Sequence, residues 1–354
     1  MDSLDLGFHV NWNERWPLIV ERFAKLKADA TGSKNGIQLP ASVGHGLMRP
    51  GGRAPAYAFH LVLRGIQVWI ARTQLSKGSP NVYVSLPSDR LWHENIAPQV
   101  RELREWIEAN GGTITDIQVS RADIAADFEL SEPLTSDFLK SHLVTRARKR
   151  NEHAQGDTLQ TFYVGQGAGA IQLRIYDKIA EIVANGGVKN WFFDLWKVGP
   201  QARVWRVEFQ LRRLALKQFG IRSLEQLPER TPKVWNALTE QCMVLREPDD
   251  SNKSRRSVHP WWAAVQSVGE LLGSELSAVR DTRKPGTAPT QWYVSHGAGC
   301  VVGYAARTGT RQIGDAIHQF MAEVWAYWNE RDFDGRYRVE RLKLNLPLPE
   351  GGVA

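Results

Sequence analysis

Three segments of the chain alternate polar and apolar residues with a period of two, which is the pattern of β-strands that turn one face to a core. They are residues 119–130 (VSRADIAADFEL), 171–178 (IQLRIYDK) and 204–213 (VWRVEFQLRR). Their polar positions hold mainly carboxylates, cations and one phenol: Arg121, Asp123, Asp127, Glu129, Gln172, Arg174, Tyr176, Lys178, Arg206, Glu208, Gln210 and Arg212. If these strands are neighbours, one face of a sheet gathers all of these groups.

Other parts of the chain predict further strands and helices. Apolar residues at helical spacing predict helices over 14–27 and 97–110. Residues 56–71, 81–86 and 160–164 are rich in β-branched and aromatic side chains, which favour strands. Helices and hairpin-like strands mixed in this way are typical of an antiparallel sheet with flanking helices.

The pattern changes beyond about residue 215, where helical spacing extends over 234–246, 260–279 and 312–332. We therefore predict an α+β fold with two domains. A central antiparallel sheet with flanking helices occupies residues 1–213 and carries the chemistry. A mainly helical part, residues 214–354, serves DNA recognition or dimerisation.

Composition narrows the class of protein. Of 354 residues, 42% are hydrophobic and 23% charged, proportions that exclude a disordered or fibrous chain. The long uncharged stretch 285–306 is broken by polar residues, so no transmembrane helix is expected. The first residues lack the pattern of a secretion signal, and two cysteines make no disulfide framework. We expect a cytoplasmic protein.

The net charge of +7 is modest, but the cations are clustered. Clusters of Lys and Arg, with 14 Trp and 8 Tyr elsewhere, suit a surface that follows phosphates and stacks bases. Solvated protein faces would give the same pattern. The candidate DNA contacts are Arg121, Arg146, Arg148, Lys149, Arg150, Arg206, Arg212, Lys253, Arg255 and Arg256.

The carboxylates Asp123, Asp127 and Glu208 are candidate metal ligands, because crowded carboxylates repel unless a cation relieves them. The nine histidines include no His-x-His pair and no His-Glu-x-x-His motif, so oxygen ligands and hence Mg²⁺ or Mn²⁺ are favoured. A salt-bridged sheet face without metal is the alternative. A Walker motif is also absent, which leaves ATP hydrolysis without support.

Tyr176 is the candidate nucleophile. A phenol with a pKa of about 10 is a poor nucleophile unless nearby cations favour the phenolate. Arg174 and Lys178, at the same strand phase, could supply that charge and hold a phosphate. An ordinary amphipathic strand tyrosine is the plainer interpretation. Tyr163 is a competing nucleophile, but its neighbours Phe162 and Val164 carry no charge.

Three blocks together resemble the Rep_trans, or replication initiation factor, family. They are 121–128 (RADIAADF), then 161–165 (TFYVG) with 173–178 (LRIYDK) and Glu181, then 205–208 (WRVE) followed by 211–212 (LR). The resemblance covers about residues 115–213. One departure is Gln166-Gly167, where the family usually has Ser-Arg. Residues 214–354 carry no motif of this family.

The resemblance implies a tyrosine nicking enzyme of rolling-circle plasmids, filamentous phages or integrative elements, acting in replication initiation or as a relaxase. The tyrosine matching Tyr176 would form a 5′-phosphotyrosyl bond at a DNA nick and free a 3′-OH. Residues matching Asp123, Asp127 and Glu208 would bind the divalent ion. The expected partner is DNA, single-stranded at the cut. A host helicase and a second copy of the chain are further candidate partners, and no membrane partner is expected.

Two other functions remain open on the residues alone. In a nucleic-acid-binding module without chemistry, Tyr176 would stack on a base and the carboxylates would be salt-bridged. In a metal-dependent hydrolytic nuclease, water would attack the phosphate and Tyr176 would be structural.

Overall fold

A computed structural model of the chain describes residues 1–73, 78–165, 169–187, 189–274, 278–280 and 290–343. These residues form two compact units, Met1–Asp281 and Thr282–Ala354. The expected limit near residue 213 falls inside the first unit, because the following helices pack on the sheet. Phe209 on the last long strand meets Trp235 with ring centroids 5.6 Å apart.

The first unit contains both strands and helices along its whole length. In chain order its elements are β1 (Ser3–Trp12), α1 (Trp16–Asp29), β2 (Ile37–Gln38), β3 (Leu47–Arg49), β4 (Phe59–Leu63), β5 (Ile66–Ile70), β6 (Val82–Leu86), α2 (Ser88–His93), α3 (Ile96–Ala109), β7 (Gly112–Glu129), α4 (Ser136–His142), β8 (Leu143–Thr145), β9 (Arg150–Gln155), β10 (Thr158–Val164), β11 (Ile171–Asp177), α5 (Lys178–Ala184), α6 (Trp191–Trp196), β12 (Val204–Arg212), α7 (Arg213–Gln218), α8 (Gln226–Ala237), β13 (Met243–Leu245) and α9 (Pro260–Leu271). A π-helical turn, Leu238–Cys242, joins α8 to β13.

The second unit is helical where it is described. Its helices are α10 (Thr290–Thr308), α11 (Ile313–Asn329) and α12 (Phe333–Lys343). Tyr304 of α10 meets Phe320 of α11 with ring centroids 5.6 Å apart, so these two helices pack on each other. Among the helices that the structure describes, none is long and apolar enough to cross a membrane.

Eleven strands form one sheet in the order β2-β3-β4-β5-β6-β1-β7-β12-β11-β10-β9. Every neighbouring pair in it is antiparallel. A small second sheet pairs β13 with β8. The predicted α+β class, a large antiparallel sheet with flanking helices followed by a helical C-terminal region, is confirmed.

The pairing of β7, β12 and β11 places their polar positions on one face, as predicted. Arg174 lies directly opposite Glu208, Tyr176 opposite Arg206, and Gln210 opposite Asp123. Directly opposite residues of an antiparallel pair point to the same side of the sheet. The other side of β12 carries Trp205, Val207, Phe209 and Leu211, all buried in the hydrophobic core.

Strand β1 lies between β6 and β7 near the middle of the sheet, a position that the sequence reading did not predict. Its apolar residues Leu4, Leu6, Phe8 and Val10 alternate and are fully buried. Because Ser3 pairs with Asp123 and Asp5 with Arg121, β1 extends the polar face beyond β7.

Two element boundaries differ from the prediction. Lys178, expected at the end of a strand, is the first residue of α5, because the Asp177 side chain caps that helix by accepting the Ala180 N–H at 2.9 Å. The helix expected over 234–246 ends early, since Met243–Leu245 pairs with β8. Gln166 and Gly167, which depart from the family pattern, lie outside the described residues.

Candidate active site

A pocket of about 310 Å³ opens on the polar face where β7, β10, β11 and β12 run side by side. The residues that line it lie on or next to the strands β1, β7, β10, β11 and β12, or in the segment around α5. They are Asp2, Ser3, Arg121, Asp123, Thr161, Tyr163, Arg174, Tyr176, Glu181, Lys189 and Glu208.

Arg174 joins the two central carboxylates of this pocket. Its Nη2 donates to Asp123 Oδ2 at 2.9 Å and also to Glu208 Oε1. Arg121 donates from Nε to Asp123 Oδ1 at 2.8 Å. Both carboxylates are buried. One oxygen of each accepts a hydrogen bond from the same guanidinium nitrogen, Arg174 Nη2.

Tyr176 lies at the base of the pocket and is 9% exposed. Its hydroxyl donates to Glu208 Oε2 at 2.9 Å. Burial, followed by the negative charge of Glu208, raises the pKa of Tyr176 well above its ordinary value. The expectation that Arg174 and Lys178 would favour the phenolate is therefore not met in this arrangement, and the phenol proton needs an acceptor.

Glu208 is placed to be that acceptor. Burial raises its pKa to about 7, against the opposing effect of Arg174 and with further upward contributions from Asp2 and Asp123. A general base is most effective when its pKa is close to the working pH. Glu208 therefore accepts a hydrogen bond from the phenol, and its raised pKa suits a general base in neutral solution.

Lys178 lies over the ring of Tyr176 and is paired with Glu181. Its Nζ is 5.5 Å from the Tyr176 ring centroid and 2.7 Å from Glu181 Oε2. Its side chain is fully buried, and burial, with the charge of Arg206, lowers its pKa. The cation that reaches the pocket from this side is Lys189, whose Nζ lies 3.5 Å from Glu181 Oε1.

Asp127 was expected to bind a metal with Asp123 and Glu208, but it belongs to a second ion cluster. Arg206 donates to it from Nε at 2.5 Å and from Nη2 at 2.7 Å, and Trp196 Nε1 donates at 3.0 Å. Arg206 also donates to Asp2. With its carboxylate held in this way, Asp127 is not brought to the pair formed by Asp123 and Glu208.

The residues present fit a divalent ion in one respect. Asp123 and Glu208 present hard carboxylate oxygens that converge on a single point, as Mg²⁺ or Mn²⁺ requires. Arg174 Nη2 holds that point, so an ion there would compete with a cation of the protein itself.

The candidate DNA contacts are dispersed. Arg206 is completely buried in its ion pairs, so its guanidinium does not face solvent. Arg121 lines the pocket. Strand β9 is the outermost strand of the sheet, next to β10. Four exposed cations lie just before it or at its first residue: Arg146, Arg148, Lys149 and Arg150.

The remaining candidates lie away from these elements. Arg212 is exposed at the end of β12. Lys253, Arg255 and Arg256 lie in the loop between β13 and α9, within the first unit rather than the C-terminal helices. Arg255 Nε donates to Asp250 Oδ2 at 3.2 Å, and Arg256 Nε donates to the Asp250 carbonyl oxygen at 2.7 Å.

Four residues of the pocket were not predicted as site residues from the sequence: Asp2, Ser3, Thr161 and Lys189. Thr161 pairs directly opposite Tyr176, which its phase on a predicted strand could have indicated. The alternation of Leu4, Leu6, Phe8 and Val10 would have revealed β1 and so drawn attention to Asp2. Lys189 precedes a short helix, and its sequence context carries no signal for the pocket.

Comparison with solved structures finds a similar protein. A rolling circle replication initiator protein from Geobacillus stearothermophilus is 14% identical, with a TM-score of 0.43, over 79% of this chain and 98% of that one. A likeness of this size carries no information on the site residues of this chain. No family model and no curated protein matches the chain.

Proposed function

We propose that this protein nicks and rejoins single-stranded DNA by tyrosine transesterification, as a rolling-circle replication initiator or relaxase does. The observation that carries the proposal is the hydrogen bond of 2.9 Å from the Tyr176 hydroxyl to Glu208 Oε2, inside a pocket that opens to solvent. A phenol bonded to a carboxylate of suitable pKa is a nucleophile with its base already in place.

The reaction uses these residues in order. Glu208 Oε2 accepts the phenol proton as Tyr176 Oη attacks the phosphorus of the scissile phosphodiester. The Oη–phosphorus bond forms and the bond from phosphorus to the 3′-oxygen breaks. The 3′-oxygen takes up a proton from water and becomes a free 3′-OH, while the 5′ side stays on Tyr176. Attack by a 3′-OH reverses the steps and rejoins the strand without ATP.

The cations of the pocket have a role in this reaction. Arg121, Arg174 and Lys189 all line it, so they can neutralise the phosphate as it enters. A phosphate that takes part of the charge of Arg174 would leave Asp123 and Glu208 free to hold Mg²⁺ or Mn²⁺. When bound, such an ion would polarise the non-bridging phosphate oxygens.

The proposed substrate is a single strand that runs from the pocket toward the exposed cations of the sheet edge, Arg146, Arg148, Lys149 and Arg150. Only two strands, β10 and β11, separate this edge from β12. Lys and Arg side chains bind phosphates without regard to sequence. A host helicase and a second copy of the chain remain proposed partners.

Tyr176→Phe tests the proposal most directly, because it removes only the hydroxyl. The matched control is Tyr163→Phe, since Tyr163 lines the same pocket on the adjacent strand, opposite Arg174. Single-stranded DNA that carries the nick site is incubated with Mn²⁺ and run on a denaturing gel. Wild type and Tyr163→Phe should give a slow protein–DNA band, and Tyr176→Phe none. An adduct that persists in Tyr176→Phe and is lost in Tyr163→Phe would assign the nucleophile to Tyr163 and refute the proposal.

One observation favours a binding module without chemistry: the described partners of Asp123, Asp127 and Glu208 include arginines in every case. In that event wild-type protein would retain single-stranded DNA without cutting it. Cutting without an adduct would instead indicate attack by water in a metal-dependent nuclease.

A further inference from the structure

Two histidines and a glutamate that are far apart in the sequence meet on the first unit, outside the pocket. They are His142 at the end of α4, Glu247 just after β13, and His259 at the start of α9. One possible ligand atom from each lies within 4.8 Å of the others. Their side chains are only partly exposed, at 15%, 37% and 21% respectively.

The spacing between these groups does not fit hydrogen bonds. His142 Nε2 lies 3.5 Å from Glu247 Oε2, and His259 Nε2 lies 3.7 Å from Glu247 Oε1. Nitrogen–oxygen hydrogen bonds in proteins are mostly 2.7–3.2 Å long. Two ligands of one tetrahedral Zn²⁺, each about 2.0–2.1 Å from the ion, are separated by roughly 3.3 Å. The two nitrogen–oxygen distances, one to each oxygen of Glu247, are therefore close to the distance between two ligands of a common ion.

The backbone holds the three residues in place independently of any ion. The His142 carbonyl oxygen accepts from the Arg246 N–H at 2.9 Å, and the His259 N–H donates to the Leu245 carbonyl oxygen at 3.0 Å. The Glu247 N–H donates to the Ser257 carbonyl oxygen at 2.8 Å. Each residue is thus fixed by a bond that ties it to the region of β13, so the cluster is preorganised.

The His142 ring is oriented as a ligand would be. Its Nδ1 lies 2.8 Å from the Phe138 carbonyl oxygen and 3.0 Å from Ser141 Oγ. Because the Ser141 hydroxyl donates to the Asp137 carbonyl oxygen at 2.7 Å, Nδ1 carries the proton and donates to Phe138. In the neutral ring, the lone pair of Nε2 then faces a carboxylate oxygen of Glu247, a contact that is repulsive until a proton or a metal ion lies between them. A metal-binding histidine usually donates its other ring N–H to a carbonyl or carboxylate in this way.

We propose that His142, Glu247 and His259 bind a divalent transition-metal ion of the Zn²⁺ type, with solvent in the remaining position. Imidazole and carboxylate ligands in this ratio suit Zn²⁺. The Phe138 ring packs on both histidines, with centroids 4.3 Å from His142 and 5.0 Å from His259, and shields one side of the site. The ion would fasten α4, and with it the start of β8, to β13 and α9.

Binding requires one local change at His259. Its Nδ1 accepts the Trp261 N–H at 3.2 Å as the cap of α9. A neutral ring in that state carries its proton on Nε2, so ligation through Nε2 moves the proton to Nδ1 and ends the bond to Trp261. The indole of Trp261, beside the broken bond, should therefore change its fluorescence when Zn²⁺ binds.

The test uses full-length protein stripped of metal and titrated with ZnCl₂ by calorimetry, with no DNA present. Wild type should bind one ion and show a higher Tm when it is bound, because an ion that binds only the folded state stabilises it. His142→Gln and His259→Gln should each weaken binding by more than about tenfold. The matched control is His153→Gln, at an exposed histidine of β9, and it should bind as wild type does.

Absence of saturable Zn²⁺ binding in the wild type would overturn the site. So would equal affinity in wild type and the His142→Gln, His259→Gln double variant, which would place the ion elsewhere. If a histidine variant does not fold, Glu247→Gln provides the same comparison at a more exposed side chain. Because the measurement involves neither DNA nor Tyr176, its outcome is independent of the nicking activity.

Discussion

The pocket and the histidine cluster both gather carboxylates and other titratable groups, but they differ in what neutralises them. In the pocket, Asp123 and Glu208 share the guanidinium of Arg174. In the histidine cluster, the Glu247 carboxylate faces the imidazoles of His142 and His259. One site thus contains its own permanent cation, whereas the other has groups that are charged only when protonated.

This difference separates two kinds of metal binding. An ion in the pocket must displace Arg174. We expect this to happen when a phosphate binds the guanidinium and draws it away from the carboxylates. An ion at the histidine cluster competes only with protons. We therefore expect binding in the pocket to depend on DNA, and binding at the histidine cluster to occur without it.

The largest effect is expected at Glu208. Glu208→Gln removes the base that accepts the Tyr176 proton and should slow nicking by about 10² to 10⁴-fold, the range for a general base. Because the raised pKa of about 7 leaves the carboxyl neutral at lower pH, wild-type nicking should fall about tenfold per pH unit below that value. Single-turnover nicking rates between pH 5.5 and 8.5 measure both effects.

The control for this experiment is Glu129→Gln, at an exposed glutamate on the same strand as Asp123. It should leave the rate and the pH profile unchanged. A bound divalent ion favours the carboxylate, so increasing Mg²⁺ should move the inflection to lower pH. An upward shift, or a profile that is flat across pH 7, would contradict the role of Glu208.

The next effect concerns the cation that the pocket contains. Arg174→Met leaves Asp123 and Glu208 close together and without their shared partner. Removing one partner of a buried ion pair costs about 3–5 kcal/mol, and the lower end applies here because the Arg174 side chain is 27% exposed. Urea denaturation should detect the loss, and added Mg²⁺ should recover more stability in Arg174→Met than in wild type.

Arg148→Met is the matched control, since Arg148 is an exposed arginine outside the pocket. It should change stability by less than about 0.5 kcal/mol, as surface substitutions usually do. If Mg²⁺ stabilises wild type and Arg174→Met equally, Arg174 does not occupy the position of the ion, and the contrast between the two sites fails.

The smallest effect is expected in the loop between β13 and α9. Replacing Lys253, Arg255 and Arg256 by Ala should weaken binding to duplex origin DNA several-fold. The slope of log affinity against log salt concentration should decrease by the equivalent of up to three phosphate contacts. Filter binding over a salt series measures this. Unchanged affinity and salt slope would remove the loop from DNA recognition. Point variants are preferable to a deletion after residue 215, which would expose Phe209 by removing Trp235.

The sequence predicted the polar face of the sheet well, for a physical reason. Strand periodicity is local, so the phase of Asp123, Tyr176 and Glu208 could be read from each segment alone. Which residues lie opposite one another depends on pairing between distant segments. The sequence therefore indicated that Arg174 and Glu208 share a face, but not that they are direct neighbours.

Two other features needed the folded chain. His142 and His259 meet because β8 pairs with β13, a contact between short strands that leave little periodicity to detect. These two histidines are 117 positions apart in the sequence, so no motif of closely spaced histidines contains them. Likewise, the raised pKa of Tyr176 depends on its burial and on the charge of Glu208, which lies on a different strand.

Strand β12 also restricts which misfolded arrangements the chain can adopt. It is buried on both sides, with Trp205, Val207 and Phe209 in the core and Arg206 and Glu208 against the opposite side. A slip of one residue against β7 or β11 would exchange the two sides, because side chains alternate. The charges would then enter a hydrocarbon layer without Asp127 and Arg174 to pair with, at a cost of several kcal/mol each. The ionic groups that surround Tyr176 thus also exclude the nearest competing structures, and mutations that neutralise them should increase aggregation during refolding.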